Sequence, residues 1–110
     1  MRILKDFVAA MGKRVSEYEK RFREFIEELC RSGLVEEVYL VGSRARGDNI
    51  PSSDFDVVLV IDDDRDPVEV AVKAKLLRKE AFPLDIVVLR RSEVSDRIYS
   101  EMLKYSKKLC

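Results

Sequence analysis

Histidine is absent from these 110 residues, which removes imidazole-based chemistry: a histidine-containing catalytic triad and histidine ligation of zinc are both excluded. The two cysteines, Cys30 and Cys110, stand in no CxxC or comparable ligand spacing, so a cysteine zinc site is excluded as well. Their thiols are expected to be reduced. No apolar run reaches membrane length, and Lys5-Asp6 interrupts the start at Ile3-Leu4 before it could form the core of a signal peptide. The expectation is a soluble, cytoplasmic protein. Net charge is missing too: 21 basic side chains balance 21 acidic ones, so no global field draws the chain to nucleic acid or anionic membrane. With no tryptophan, no glutamine, a lone Asn49 and 38% charged residues, the composition suggests a hyperthermophile, which bears on stability and leaves function open.

The length allows one domain with one hydrophobic core, and no repeat, low-complexity tract or linker divides it. Ile3, Leu4, Phe7, Val8, Met11, Val15, Tyr18, Phe22, Phe25, Ile26 and Leu29 recur at threes and fours, predicting a long amphipathic helix over residues 1–32. Gly12 is a candidate bend in it, and Ser32-Gly33 its end. Its apolar stripe fits either the chain's own sheet or another subunit, so a homo-oligomer stays open. Residues 35–41 read as a strand running into Gly42-Ser43. A second strand covers residues 54–61, and its run from Val57 to Ile61 is too continuous for a sheet with one wet face, so helices should cover both sides at least in part. Asp66-Pro67-Val68-Glu69 supplies an N-cap, a first-turn proline and an acidic third position for a helix to about Glu80, which Phe82-Pro83 breaks. Leu84 to Leu89 is the third strand, and Ser92 opens a last helix over residues 92–110.

The chemistry is concentrated between the first and third strands. Side chains alternate along a strand, so Asp54 and Asp56 project to the same face, with α-carbons roughly 6.5 Å apart. Two carboxylates at that span suit a pair of magnesium ions, which sit roughly 3.5–4 Å apart in two-metal enzymes. Asp85 stands among Leu84, Ile86, Val87 and Val88, where an ionised carboxylate is costly unless it is paired, bound to metal or at a wet strand end. Gly42-Ser43 ends a strand and opens a short helix, offering backbone N–H groups and a hydroxyl to phosphate oxygens. Arg44 and Arg46 are candidates to neutralise a triphosphate. The spacing Gly42 to Gly47 is not a P-loop, because Asp48-Asn49 stands where that loop needs lysine then serine or threonine. The acidic run from Asp62 to Asp66 lacks EF-hand spacing and its glycine, and reads as a solvated loop.

Gly42-Ser43, ten intervening residues and Asp54-Phe55-Asp56 resemble the GS-x10-DxD signature of the polymerase-beta nucleotidyltransferase superfamily, and the length resembles its minimal branch. With Asp85, the resemblance covers residues 35–90, the expected catalytic core. It implies an α+β fold, a small mixed β-sheet flanked by helices. It also implies that Asp54 and Asp56 bind two magnesium ions, that Asp85 completes the site by orienting or deprotonating the attacking hydroxyl, and that Gly42 and Ser43 hold phosphates with Arg44 or Arg46 assisting. The reaction so implied transfers a nucleoside monophosphate, AMP if the substrate is ATP, and releases pyrophosphate. Larger members carry a helical acceptor-binding domain for which only about twenty residues follow the third strand here, so the acceptor is expected on another chain. Minimal members are often paired with HEPN-domain toxins, which they neutralise by adding AMP to a tyrosine, so this chain is expected to be such an antitoxin. Two alternatives stand beside that expectation: a binding subunit that inhibits its partner by contact, and transfer to a small molecule such as an aminoglycoside.

Overall fold

The computed structural model describes the backbone of residues 2–50 and 53–110 and the side chains of residues 17–50 and 53–110. The elements are α1 (Arg2–Arg31), β1 (Glu37–Val41), α2 (Ser43–Arg46), β2 (Phe55–Ile61), α3 (Pro67–Leu76), β3 (Leu84–Arg90), a 3-10 turn (Arg91–Glu93), α4 (Arg97–Leu103) and β4 (Lys107–Lys108). The four strands form one sheet in the order β3-β2-β1-β4. β1 is antiparallel to β2 and β4, whereas β2 and β3 run parallel, with α3 in the connection between them. This is the small mixed sheet flanked by helices that the family resemblance implies.

β2 organises the core because alternate residues serve opposite faces. Phe55, Val57, Leu59 and Ile61 pack with Phe22, Phe25 and Leu29 of α1, Val70 and Ala74 of α3, and Phe82. Val58 and Val60 pack on the other face with Val41 and Leu89, against which Val94, Tyr99 and Leu103 are laid. Both faces of the strand are therefore covered, as the continuous apolar run requires. On the α1 face, Phe22 stacks on Phe55 with centroids 4.3 Å apart, and Phe82 meets Phe22, Phe25 and Phe55 edge-on at 5.8–6.1 Å. Edge-to-face and offset pairs of this kind add stabilisation beyond the area they bury.

α1 runs through Gly12 without a break. The apolar stripe expected from Ile3 to Val15 lies outside the described side chains, while Phe22, Phe25 and Leu29 face the chain's own sheet. Asp66 caps α3 as expected, accepting from the Val68 amide at 3.0 Å. That helix ends at Leu76 rather than near Glu80, with Leu77 and Arg78 donating to Ala74 and Lys75 in a tightened last turn. Leaving the helix early lets the chain bury Phe82 between α1 and β2. The expected continuous last helix is instead a 3-10 turn followed by α4, which Asp96 and not Ser92 caps, accepting from the Ile98 amide at 3.0 Å. Among the described residues no helix is long and apolar enough to cross a membrane.

The tail corrects two expectations. It returns as β4 beside β1, with Leu109 donating to the Val38 carbonyl at 2.7 Å and Val38 donating to that of Cys110 at 3.0 Å. That pairing brings Cys110 to Cys30 on the last turn of α1, with α-carbons 6.1 Å apart, and the two form a disulfide where reduced thiols were expected. Eighty residues separate them, so no local spacing could announce the bond. Closing so long a loop restricts the unfolded chain and stabilises the fold by about 2–4 kcal/mol. Cys110→Ser, or thorough reduction of the native protein, should accordingly lower the melting temperature by roughly 10 °C. Calorimetry with and without reductant measures it, and titration of two free thiols in the native, unreduced protein would contradict the bond.

Candidate active site

The parallel pairing of β2 with β3 sets Asp56 directly beside Asp85, and the antiparallel pairing with β1 sets Val41 on the other side of Asp56. Paired strands lie about 4.8 Å apart, so the row Val41, Asp56, Asp85 crosses the sheet in about 10 Å. Asp54 precedes β2 by one residue and is near enough for its charge to act on Asp56. The three carboxylates singled out in the sequence are thus gathered at one end of the sheet. Asp54 and Asp85 are exposed and Asp56 is half-buried.

Burial, reinforced by the charges of Asp85 and then Asp54, pushes the Asp56 carboxyl above the ordinary aspartate value, and Arg46 pulls it partly back. Like charges held together in a partly desolvated place favour the neutral form.

Gly42 caps α2 at φ 74°, a conformation that disfavours any residue with a Cβ. The surroundings forbid one independently, since a Cβ there would overlap the Asp56 carboxylate, with its carboxyl carbon only 3.3 Å away. The glycine thus lets the β1–α2 turn close against the carboxylate. Ser43 follows, half-buried at the first position of α2.

The two candidate arginines are separated by the fold. α2 is a single turn, on which residues two apart point about 200° from one another. Arg46 joins Gly42, Asp56 and Asp85 around a cleft of about 340 Å³. Arg44 is turned to the α1 face: its guanidinium carbon lies 3.7 Å from the Phe55 ring centroid, its Nε donates to the Ser53 carbonyl at 3.0 Å, and its Nη1 is 3.9 Å from Glu19. Phe22 and Arg44 approach Phe55 too closely to share one side of the ring, so they sandwich it. The Arg44 side chain, 7% exposed, secures the segment leading into β2 and does not line the cleft that holds Asp56 and Asp85.

The cleft is completed by residues that the sequence did not single out as a site: Val87 of β3, Glu101 and Met102 of α4, and Tyr105. Val87 reads as strand core and Met102 as part of the apolar spacing of the last helix, while no pattern marks Glu101 or Tyr105 as a site. A second recess of about 330 Å³ lies between α1 and residues 77–82. Its charged side chains bridge one another, Arg21 to Glu80 at 2.7 Å and Lys79 to Glu28 at 3.7 Å, and it holds none of the three aspartates.

A family model described as the nucleotidyltransferase domain matches residues 22–109, and the chain belongs to that family. A candidate nucleotidyltransferase from Sulfolobus solfataricus, known from a 1.40 Å crystal structure, superposes with a TM-score of 0.63. It is 25% identical over 87% of this chain and 82% of that one. No curated protein matches the chain significantly. Family and fold together make the chain a nucleotidyltransferase.

A carboxyl whose folded-state pKa is raised contributes stability below the unfolded value, and that contribution is lost as pH rises through the folded value. Asp56 therefore burdens the metal-free fold at neutral pH, and Asp56→Asn relieves the burden. The variant should melt a few degrees above the parent at pH 7 without divalent cations. Its advantage should shrink as pH falls toward about 4, the ordinary aspartate value. Paired thermal melts across that range test this, and a variant less stable than the parent at pH 7 would contradict it.

Proposed function

We propose that the chain is a magnesium-dependent nucleotidyltransferase that moves AMP from ATP to a hydroxyl group, the acceptor being a tyrosine of a HEPN-type toxin that it thereby silences. The observation that carries the reaction is the row of Asp56 and Asp85, with Asp54 beside it, against the Gly42 turn. The antitoxin assignment rests on the resemblance to minimal nucleotidyltransferases. An open site also supports a protein acceptor: Asp54 and Asp85 are exposed, so a hydroxyl on another protein's surface can approach them.

The donor set fits the cation. Carboxylate oxygens suit a hard divalent ion, and a positive charge at Asp56 would offset the burial and the neighbouring charges that raise its pKa. Among the described residues no three acidic or thiol side chains form a cation cage by themselves. Magnesium requires no such cage, since it is commonly held by one or two carboxylates together with water and substrate phosphates. Asp54 and Asp56 would hold it, with Asp85 completing the site. When bound, the cation supplies positive charge to the oxygens entering and leaving the α-phosphorus.

The protein's own part is positioning and proton handling. The Gly42-Ser43 turn and Arg46 hold the phosphates beyond the bond that breaks, leaving the α-phosphorus beside the carboxylates. Asp85 orients the acceptor hydroxyl and takes its proton. The acceptor oxygen then bonds to the α-phosphorus as the link to pyrophosphate breaks, and pyrophosphate leaves with the electron pair.

With magnesium and the partner present, label at the α-phosphate of ATP should pass to the partner, and label at the γ-phosphate should not. Asp56→Ala should cut the transfer by roughly three orders of magnitude, the equivalent of several kcal/mol of charge stabilisation. Transfer of γ-label, or α-label undiminished in the variant, would contradict the reading. A variant that transfers nothing yet still neutralises its partner would establish a contact inhibitor instead.

A further inference from the structure

One cleft is lined by Arg46, Gly42, Asp56 and Asp85 together with Met102 and Tyr105. Met102 and Tyr105 are 36% and 63% exposed, which leaves apolar surface open to a ligand. Leu40 pairs with Lys107, and Tyr105 lies in the turn two residues before that pair, lining the same cleft as Gly42. β-pairing and the Cys30–Cys110 disulfide hold the tail beyond it. A ligand with an anionic end for Arg46 and a flat aromatic end for Tyr105 and Met102 suits this lining.

We infer that Tyr105 and Met102 form the nucleobase subsite, with the base stacked on the Tyr105 ring and Met102 closing its edge, while the phosphates lie toward Arg46 and Gly42. This rests on the nucleotidyltransferase reading of the site and adds to it the part of the chain that grips the base. An aromatic ring offers every base a π-face, and Met sulfur makes favourable contacts with aromatic systems. The subsite selects for a nucleobase over a bare polyphosphate and accepts more than one base.

The test is calorimetric titration of the full-length, disulfide-intact protein with ATP and with inorganic tripolyphosphate, both in magnesium, comparing the parent with Tyr105→Ala and Tyr105→Phe. Stacking of this kind changes affinity by roughly tenfold or more. Tyr105→Ala should weaken ATP binding by that factor and leave tripolyphosphate binding unchanged, and Tyr105→Phe, which keeps the ring, should restore most of the loss. Because the side chain is exposed, an unchanged melting temperature is expected of both variants. ATP binding unaffected in Tyr105→Ala, or ATP and tripolyphosphate weakened alike, would overturn the base subsite while leaving the transferase reading intact. A parent protein that binds neither ligand would overturn both.

Discussion

Everything at the site depends on one pairing, the in-register parallel contact of β2 with β3 that forces two carboxylates side by side. That contact is unfavourable at Asp56 and has to be sustained elsewhere. β2 sustains it by burying apolar side chains on both faces, with α1 and α3 over one and α4 over the other. The hydrophobic core fixes the register, and the register fixes the spacing of the charges. Burial and the neighbouring charges disfavour an ionised Asp56, and a cation sharing the space with a polyphosphate would offset both.

The two faces of the sheet divide the labour. On the α1 face, Phe55 is held between Phe22 and Arg44, which steadies the segment entering β2. Asp56 follows Phe55 in β2, so a ring clamped on one face constrains a carboxylate presented toward the other. On the α4 face, Gly42 lets the β1–α2 turn close against Asp56, and the tail returns along β1 to bring Tyr105 to the same cleft. Scaffold and chemistry thus share residues that are neighbours in sequence and opposites in direction.

The parts of this arrangement legible in the sequence were those that local pattern dictates. Asp54 and Asp56 stood out as paired acids at the head of an apolar run, the uninterrupted run from Val57 to Ile61 announced a strand covered on both faces, and Gly42 marked a turn. Asp85 was recognisable as a charge out of place among apolar neighbours, although only the β2–β3 register gives it a partner. Arg44 and Arg46 were indistinguishable because nothing in a basic residue's identity says toward which side a single helical turn will point it. The disulfide, β4 and the cleft wall at Glu101, Met102 and Tyr105 were hidden for a related reason: each depends on the tail crossing back to β1, a contact between distant residues with no local signature. The early end of α3 belongs with them, since it answers to the place Phe82 takes in the core.

The most direct test of this account is a crystal structure of the protein with manganese and a non-hydrolysable ATP analogue. The account predicts anomalous density for the metal in contact with Asp54 and Asp56, and phosphates lying against the Gly42 turn and Arg46. Metal and phosphates bound away from these residues, for instance in the recess between α1 and residues 77–82, would contradict it.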